Sequence, residues 1–175
     1  DPLYMNFNIC PGLREFAADT HTACVPNFLP AGNVSRPSIS SLMSGIYDSG
    51  MELNEKEMFW NNILPTALAA QIKRLGYKTI YWYGGNSSSG NFTKYGKAQG
   101  FDRIENATEF CGPQAPQTWL GVYDHVFLEE AAKRIVNMDE PTFHFVYTTT
   151  NHGPYKLEDK YLDFDAHRDL PGVGD

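Results

Sequence analysis

The stretch of sequence that decides the fold is Asn33-Val34-Ser35-Arg36-Pro37-Ser38-Ile39-Ser40-Ser41-Leu42-Met43-Ser44-Gly45. Four apolar residues in it and just after it have the i, i+3, i+4, i+7 spacing of one face of an amphipathic helix: Ile39, Leu42, Met43 and Ile46. The spacing predicts a short helix that buries this face and leaves the polar residues of its amino-terminal end outside the core.

Both ends of this helix are predicted from residues with distinct backbone preferences. Pro37 suits the first helical position, where its missing N–H costs nothing, and Gly45 suits the left-handed residue that closes a helix. Ser35 is then expected just ahead of the first turn, where unpaired N–H groups and the helix dipole attract a phosphate or sulfate ester. Ser35 is therefore the candidate nucleophile. The alternative is that Ser35 or Ser38 only caps the helix.

Helix and strand patterns alternate downstream of this stretch. A helix is predicted over 66–75, with Leu68, Ile72 and Leu75 along one face and Gly76 closing it. Strands are predicted over 78–83 and 143–148, and a second helix over 124–136 lies between them. This order predicts crossover connections, and hence an α/β fold with a mainly parallel sheet and helices on both faces.

The strand over 143–148 runs into the loop Asn151-His152-Gly153-Pro154. Open α/β sheets place their ligand sites at the carboxyl ends of strands, so His152 is a candidate ligand contact. A lone His after a strand can equally be a plain loop residue. His144 lies in the middle of the strand and is expected to be structural.

Three segments carry a family resemblance. Ser35-x-Pro37-Ser38-x-x-x-Leu42-Met43-Ser44-Gly45 resembles the sulfatase signature Cys-x-Pro-Ser-Arg-x-x-x-Leu-Thr-Gly, whose first residue is the nucleophile. The segment 10–17 resembles the helix that precedes this signature in the sulfatase and alkaline phosphatase superfamily. The segment 141–155 resembles a strand and loop of the lipoteichoic acid synthase branch, in which a Thr hydroxyl attacks the phosphodiester of a glycerophospholipid headgroup.

This resemblance implies an alkaline phosphatase-like fold and a site for phosphoryl transfer. It implies that Ser35 is the catalytic nucleophile and a metal ligand, and that the substrate is bound by residues of three segments: Arg36, Tyr83, Asn151 and His152. In two places the chain departs from the sulfatase pattern, because Ser35 replaces the Cys and Ile39 replaces the Arg.

A bound divalent metal is implied as well, since an unassisted hydroxyl is a weak nucleophile near neutral pH. Manganese or magnesium is expected, with zinc or calcium as alternatives. The other ligands are expected before Asp1 and after Asp175, so residues 1–175 are interpreted as the central fragment of one catalytic domain. We expect this fragment to be inactive and metal-free alone, and the whole protein to be extracytoplasmic with an amino-terminal membrane anchor.

The glycine- and serine-rich segment 84–92 is a weaker signal. It lacks the Lys and Ser or Thr of a nucleotide-binding loop and is expected to be a flexible surface loop. In the synthase branch the corresponding segment carries His, Trp and Arg contacts to the headgroup, and these fall on Tyr83, Gly90 and Phe92. The mismatch keeps two alternatives open: a sulfatase or phosphodiesterase that transfers the group to water, and a non-catalytic binding module of the same fold.

Composition limits the remaining classes. With 42% hydrophobic residues, the 175-residue chain can bury one core, and it contains no apolar run of roughly 18 residues that could span a membrane. A formal net charge of −7 with dispersed Lys and Arg argues against nucleic acid as a partner.

The three cysteines, Cys10, Cys24 and Cys111, lack the spacing of a zinc site. They form either one disulfide with one free thiol or a set of buried thiols, and the sequence leaves both alternatives open. The acidic segment 163–169 lacks the glycine and final Glu of a calcium loop and is expected to be solvated.

Overall fold

The computed structural model describes residues 11–23, 25 and 27–154, and the chain divides into two units. One unit comprises Asp1–Leu29 and Lys156–Asp175. Within it, helix α1 spans Pro11–Ala18, where the upstream helix is predicted. Two cysteines, Cys10 and Cys24, and the acidic segment 163–169 lie outside the described residues.

The other unit, Pro30–Tyr155, is built on a three-stranded sheet. Its strands are β1 (Lys78–Tyr83), β2 (Arg103–Asn106) and β3 (Thr142–Tyr147), in the order β2-β1-β3. Both pairings are parallel, and Tyr83 at the end of β1 is in register with Asn106 and with Tyr147. The carboxyl ends of the three strands therefore lie along the same edge.

Five helices accompany the sheet within Pro30–Tyr155: α2 (Ser35–Ser44), α3 (Leu68–Arg74), α4 (Phe92–Ala98), α5 (Ala107–Phe110) and α6 (Asp124–Ile135). Short 3₁₀ turns occur at Leu53–Glu55, Glu57–Phe59 and Ser89–Asn91. In the described ranges, no helix has the length and apolar character needed to cross a membrane.

The central strand β1 separates two hydrophobic clusters, because successive side chains of a strand point to opposite faces. Tyr81 and Tyr83 pack with Met43 of α2, Ala69 of α3 and Tyr95 of α4. On the opposite face, the second cluster joins β1 to α5 and α6 through Ile80, Trp82, Ala107, Phe127 and Ala131. The prediction of a mainly parallel sheet with helices on both faces is confirmed.

Helix α2 differs from its prediction in two details. It begins at Ser35, with Val34 as the N-cap, so Ser35 is the first helical residue and Pro37 the third. Leu42 is 51% exposed, whereas Pro37, Ser40, Ser41, Met43 and Ser44 are buried. The buried face is thus richer in serine than the apolar spacing predicts, because the Ser40 and Ser44 hydroxyls can bond backbone carbonyls one turn earlier. Gly45 closes the helix at φ 70°, as expected.

The sequence interpretation omitted β2, α4 and α5. Among the predicted elements, Leu75 is 71% exposed, so it does not belong to the buried face of α3. The structural role expected for His144 is supported, since Trp82 Nε1 donates to His144 Nδ1 at 3.0 Å across β1 and β3.

Candidate active site

Ser35 lies in the first turn of α2 with its side chain exposed. No hydrogen bond joins its hydroxyl to another residue in the described part of the chain, and Val34 provides no side-chain cap. Ser38 is engaged instead, because its Oγ accepts from Gly32 N at 3.2 Å and lies 3.0 Å from the carbonyl oxygens of Gly32 and Val34. The hydroxyl of Ser38 therefore fixes the chain that enters the helix, and that of Ser35 remains available to a ligand.

A buried asparagine connects α2 to the segment that follows β1. Ser40 Oγ lies 2.9 Å from Asn54 Oδ1 and 2.9 Å from the Arg36 carbonyl oxygen, and its single proton serves one at a time. Asn54, which is fully buried, donates from Nδ2 to the Gly90 carbonyl at 2.6 Å. The helix that carries Ser35 is thereby fixed relative to the carboxyl edge of the sheet.

Segment 84–92 is not the flexible surface loop that its composition predicts. Gly84 and Gly85 are buried, and Ser89–Asn91 forms a 3₁₀ turn. Besides the Asn54 contact, Asn91 Nδ2 donates to Glu55 Oε2 at 2.6 Å. Hydrogen bonds from residues distant in sequence hold this segment, and composition alone could not reveal them.

Arg36 is half-exposed beside Ser35 and faces two carboxylates. Its Nη1 lies 3.9 Å from Glu52 Oε1 and 3.9 Å from Glu55 Oε1. Ion pairs at this distance and exposure hold the guanidinium only loosely, so its donors stay available to an anion.

Tyr83 ends β1 and is almost completely buried. Its ring stacks on Tyr147 of β3 with centroids 5.3 Å apart. Burial raises the pKa of the Tyr83 phenol, while a hydrogen bond with Ser89 and the charge of Arg36 oppose that rise. The phenol is therefore protonated at neutral pH. Tyr83, a predicted substrate contact, is thus held in the core at the end of β1.

Asn151 and His152 lie on the loop after β3, and both are exposed. The start of this loop is fixed to α6, because Asp124 Oδ1 accepts from Thr149 N at 2.9 Å and from Thr150 N at 3.0 Å. His152 Nδ1 lies 2.9 Å from the Gly153 carbonyl oxygen. No hydrogen bond or ion pair within the described ranges links Asn151 or His152 to Ser35 or Arg36.

The sequence interpretation missed three residues that shape this edge of the sheet: Glu55, Asn91 and Trp119. Glu55 and Asn91 meet only through tertiary contacts over 36 positions. Trp119 lies in the short segment between Thr118 and Gly121, a few residues before α6, and no sequence pattern there points to a site.

The metal implied by the resemblance was tested against the residues present. Ser35 could supply one oxygen ligand, but the nearby carboxylates of Glu52 and Glu55 face Arg36. Across residues 11–23, 25 and 27–154, no group of three His, Cys, Asp or Glu could hold a metal ion. The described residues therefore do not form a metal site by themselves.

A family model described as Sulfatase matches residues 7–172. The chain belongs to the sulfatase family. This family comprises phosphoryl and sulfuryl transferases and hydrolases that act on phosphate or sulfate esters or lipid headgroups and are generally metal-dependent. The predicted membership of the sulfatase and alkaline phosphatase superfamily, and of its lipoteichoic acid synthase-like branch, is confirmed.

Individual sulfatase-family relatives agree with this assignment. The chain is 31% identical over 74 residues to lipoteichoic acid synthase-like YvgJ of Bacillus subtilis. The aligned segment covers 41% of this chain and 12% of YvgJ. It is 22% identical over 160 residues to lipoteichoic acid synthase 2 of the same organism, covering 90% of this chain and 24% of that protein. The chain thus spans less than a quarter of the length of either relative.

A solved sulfatase-family structure supports the fold. The lipoteichoic acid synthase LtaP from Listeria monocytogenes superposes with a TM-score of 0.66 over 79% of this chain and 34% of that one. At 16% sequence identity, this similarity shows that the two chains share a fold.

Proposed function

We propose that this chain is part of a transferase that moves a phosphoryl-linked headgroup from a lipid phosphodiester to an acceptor hydroxyl. The headgroup is of the phosphoglycerol or phosphoethanolamine type, and Ser35 is the nucleophile. The observation that carries the proposal is the exposed Ser35 hydroxyl in the first turn of α2, next to Arg36 and without a hydrogen-bond partner among the described residues. Family membership and the names of the relatives support the choice of reaction and substrate.

The reaction proceeds in two displacements. Ser35 Oγ forms a bond to phosphorus as the bond from phosphorus to the lipid oxygen breaks, and diacylglycerol leaves with the proton that Ser35 loses. The acceptor hydroxyl oxygen then forms its bond to phosphorus as the bond to Ser35 Oγ breaks. The acceptor's proton returns to Ser35, so the enzyme is regenerated.

The other predicted residues bind and orient the phosphoryl group. Arg36 donates charge-assisted hydrogen bonds to its oxygens, and the first turn of α2 adds backbone donors. For the protonated Tyr83 phenol to donate a further hydrogen bond, the segment around Ser89 must move aside when the substrate binds, because Tyr83 is almost completely buried. Asn151 and His152 approach from the loop after β3 and bond a phosphoryl oxygen or the leaving alcohol.

The proposal includes a divalent metal, manganese or magnesium with zinc or calcium as alternatives, for which Ser35 is one ligand. Since the described residues do not complete such a site, the steps above are assigned only to residues of this chain. We further propose that residues 1–175 form the central part of one catalytic domain, and that this domain acts outside the cytoplasm of a membrane-anchored protein.

Replacing the nucleophile tests the proposal directly. In the intact protein, Ser35→Ala should lower diacylglycerol release from fluorescent phosphatidylglycerol vesicles by at least about 1000-fold, because the covalent intermediate cannot form. Ser35→Thr keeps a hydroxyl and should retain measurable turnover, and Ser49→Ala, an exposed serine after α2, should equal the wild type. Wild-type turnover in Ser35→Ala would contradict the proposal.

Two alternatives remain within the same fold. A hydrolase passes the group to water, so it would release free glycerol phosphate, or hydrolyse 4-nitrophenyl sulfate, without an acceptor. Mass spectrometry of the peptide around Ser35 distinguishes serine from a matured aldehyde.

A non-catalytic binding module is favoured by Phe92, which packs in the core against Tyr83 and Tyr147 and so offers nothing to a ligand. A calorimetric titration that detects no manganese binding, together with the absence of turnover, would support a module that has lost its metal site.

A further inference from the structure

A tight turn after α5 presents an exposed tryptophan. Trp119 is 70% exposed, yet the turn around it is well bonded. Thr118 N donates to the Gly121 carbonyl at 2.8 Å, and Thr118 Oγ1 accepts from Leu120 N at 3.2 Å and Gly121 N at 3.3 Å. The turn therefore holds Trp119 in a defined position at the surface.

The same turn lies directly against the end of β1. Val122 N donates to the Gly84 carbonyl at 3.0 Å, and Gly121 pairs with Gly85 in an antiparallel bridge. A Cβ atom at position 121 would lie 2.2 Å from the Gly84 carbonyl oxygen, so only glycine allows this approach. Trp119 is therefore fixed at the carboxyl edge of the sheet.

Trp119 contacts the candidate histidine in two ways. The two rings meet at 78° with centroids 5.3 Å apart. Trp119 Nε1 donates to the Gly153 carbonyl at 3.3 Å, and His152 Nδ1 lies 2.9 Å from the same oxygen. A carbonyl only accepts, so His152 Nδ1 carries the proton, and in the neutral ring Nε2 holds the free lone pair.

We propose that Trp119 is a positioning residue for His152. Its indole N–H fixes the Gly153 carbonyl, and its ring limits rotation of the imidazole, so that Nε2 is the nitrogen presented to a ligand. This inference rests on the proposed function, in which Nε2 bonds a phosphoryl oxygen or the oxygen of the leaving alcohol. It assigns a role in the reaction to a residue that makes no bond to the substrate.

The test is a double-mutant cycle in the intact protein, with manganese and bis(4-nitrophenyl) phosphate as the probe. Trp119→Ala should lower kcat/KM by between about tenfold and 100-fold, mainly through kcat, because a misplaced group loses its reactive geometry. Trp119→Phe keeps a ring but loses the N–H, so its loss should be smaller. In the His152→Ala background, Trp119→Ala should have less than about a twofold effect.

Controls separate this role from simple support of the fold. The melting temperature of each Trp119 variant should match the wild type, and Tyr47→Ala, which removes a side chain 67% exposed, should leave kcat/KM unchanged. An equal loss in both backgrounds, or wild-type kinetics in Trp119→Ala while Ser35→Ala is inactive, would overturn the role of Trp119 alone. Wild-type turnover in Ser35→Ala would overturn the proposed function and this inference with it.

Discussion

The two edges of the sheet carry different kinds of polar residue. At the amino edge, a cleft of about 490 Å³ is lined by five charged residues, Lys78, Asp102, Arg103, Asp139 and Glu140, together with Ile80, Met138 and Thr142. At the carboxyl edge, the candidate site contains the half-exposed Arg36 with the carboxylates of Glu52 and Glu55, among hydroxyl, phenol, amide and imidazole groups. Charge density alone would place the functional site at the amino edge.

Hydrogen-bond partners lead to the opposite choice. The Asp102 carboxylate at the amino edge accepts from Thr79 N at 2.9 Å and from Thr79 Oγ1 at 3.1 Å, and Lys73 Nζ lies 2.6 Å away. In contrast, Ser35 Oγ and His152 Nε2 have no partner in the described part of the chain. The comparison teaches that Asp102 is engaged within the fold, whereas these two groups of the candidate site are free to bind a ligand, a difference that the number of charges does not reveal.

Replacing one arginine at each edge by alanine gives the largest expected difference between the two edges. Arg36→Ala should lower kcat/KM for bis(4-nitrophenyl) phosphate by between roughly tenfold and 150-fold, since a hydrogen bond to a charged group contributes about 1.5 to 3 kcal/mol. Arg103→Ala at the amino edge removes a similarly exposed arginine that pairs with Glu105, and should leave kcat/KM within about twofold of the wild type. Equal losses in the two variants would break the comparison.

Asp102 tests whether the amino edge acts in stability. Partial burial raises the pKa of the Asp102 carboxyl, but hydrogen bonds from Lys73 and Thr79 outweigh it, so the net pKa is lowered. A lowered pKa stabilises the fold above the unfolded value of about 3.9, and this contribution disappears as the pH falls through the folded pKa. Asp102→Asn should therefore cost about 1 kcal/mol in urea unfolding at neutral pH, and less near pH 3.

Turnover is the control for this variant, because Asp102→Asn should keep wild-type kcat/KM. A stability difference between wild type and Asp102→Asn that stays constant between neutral pH and about pH 3 would show that the carboxylate is not responsible.

His144, midway between the edges, gives the smallest effect. Partial burial lowers the pKa of His144, and its Nδ1 accepts from Trp82 Nε1. The charged form is disfavoured in the folded state, so this contribution is complete above the unfolded value of about 6.5 and declines as the pH falls below it. His144→Gln keeps an acceptor for Trp82 without titrating. Urea unfolding between about pH 7.5 and about pH 5 should show a steeper decline for the wild type than for the variant, and parallel curves would contradict this assignment.

The sequence predicted those elements whose formation depends on local pattern. β1, β3 and α6 are each a run of uniform character ended by glycine, proline or a change of period, and their bounds agree closely with the prediction. β2 was not predicted because Arg-Ile-Glu-Asn contains only one apolar residue. This segment forms a strand because it pairs with β1. α4 was not predicted because its short segment contains Gly96, a residue that disfavours helices. Glycine is needed there because a Cβ atom at position 96 would lie only 3.1 Å from the Tyr81 ring.

The residues of the candidate site also fall into two groups, those that local sequence motifs indicate and those that only the folded structure brings together. Ser35 and His152 stand in recognisable local motifs, so the sequence alone nominates them. The contacts of Glu55 with Arg36 and Asn91 join segments far apart in the chain, and the position of Trp119 depends on the close approach of Gly121 to Gly84. Such residues become visible only once the fold has brought their segments together.

The buried amide of Asn54 has a mechanical consequence. Its oxygen faces the Ser40 hydroxyl of α2, whose proton is shared with the Arg36 carbonyl, and its nitrogen donates to the Gly90 carbonyl in the segment after β1. Asn54 is fully buried, so an amide that loses its partner there costs free energy. A bound molecule that displaces Gly90 must therefore either shift α2 as well or break a hydrogen bond in the protein interior. This one side chain thus couples a displacement of the segment after β1 to the position of α2, the helix that carries Ser35.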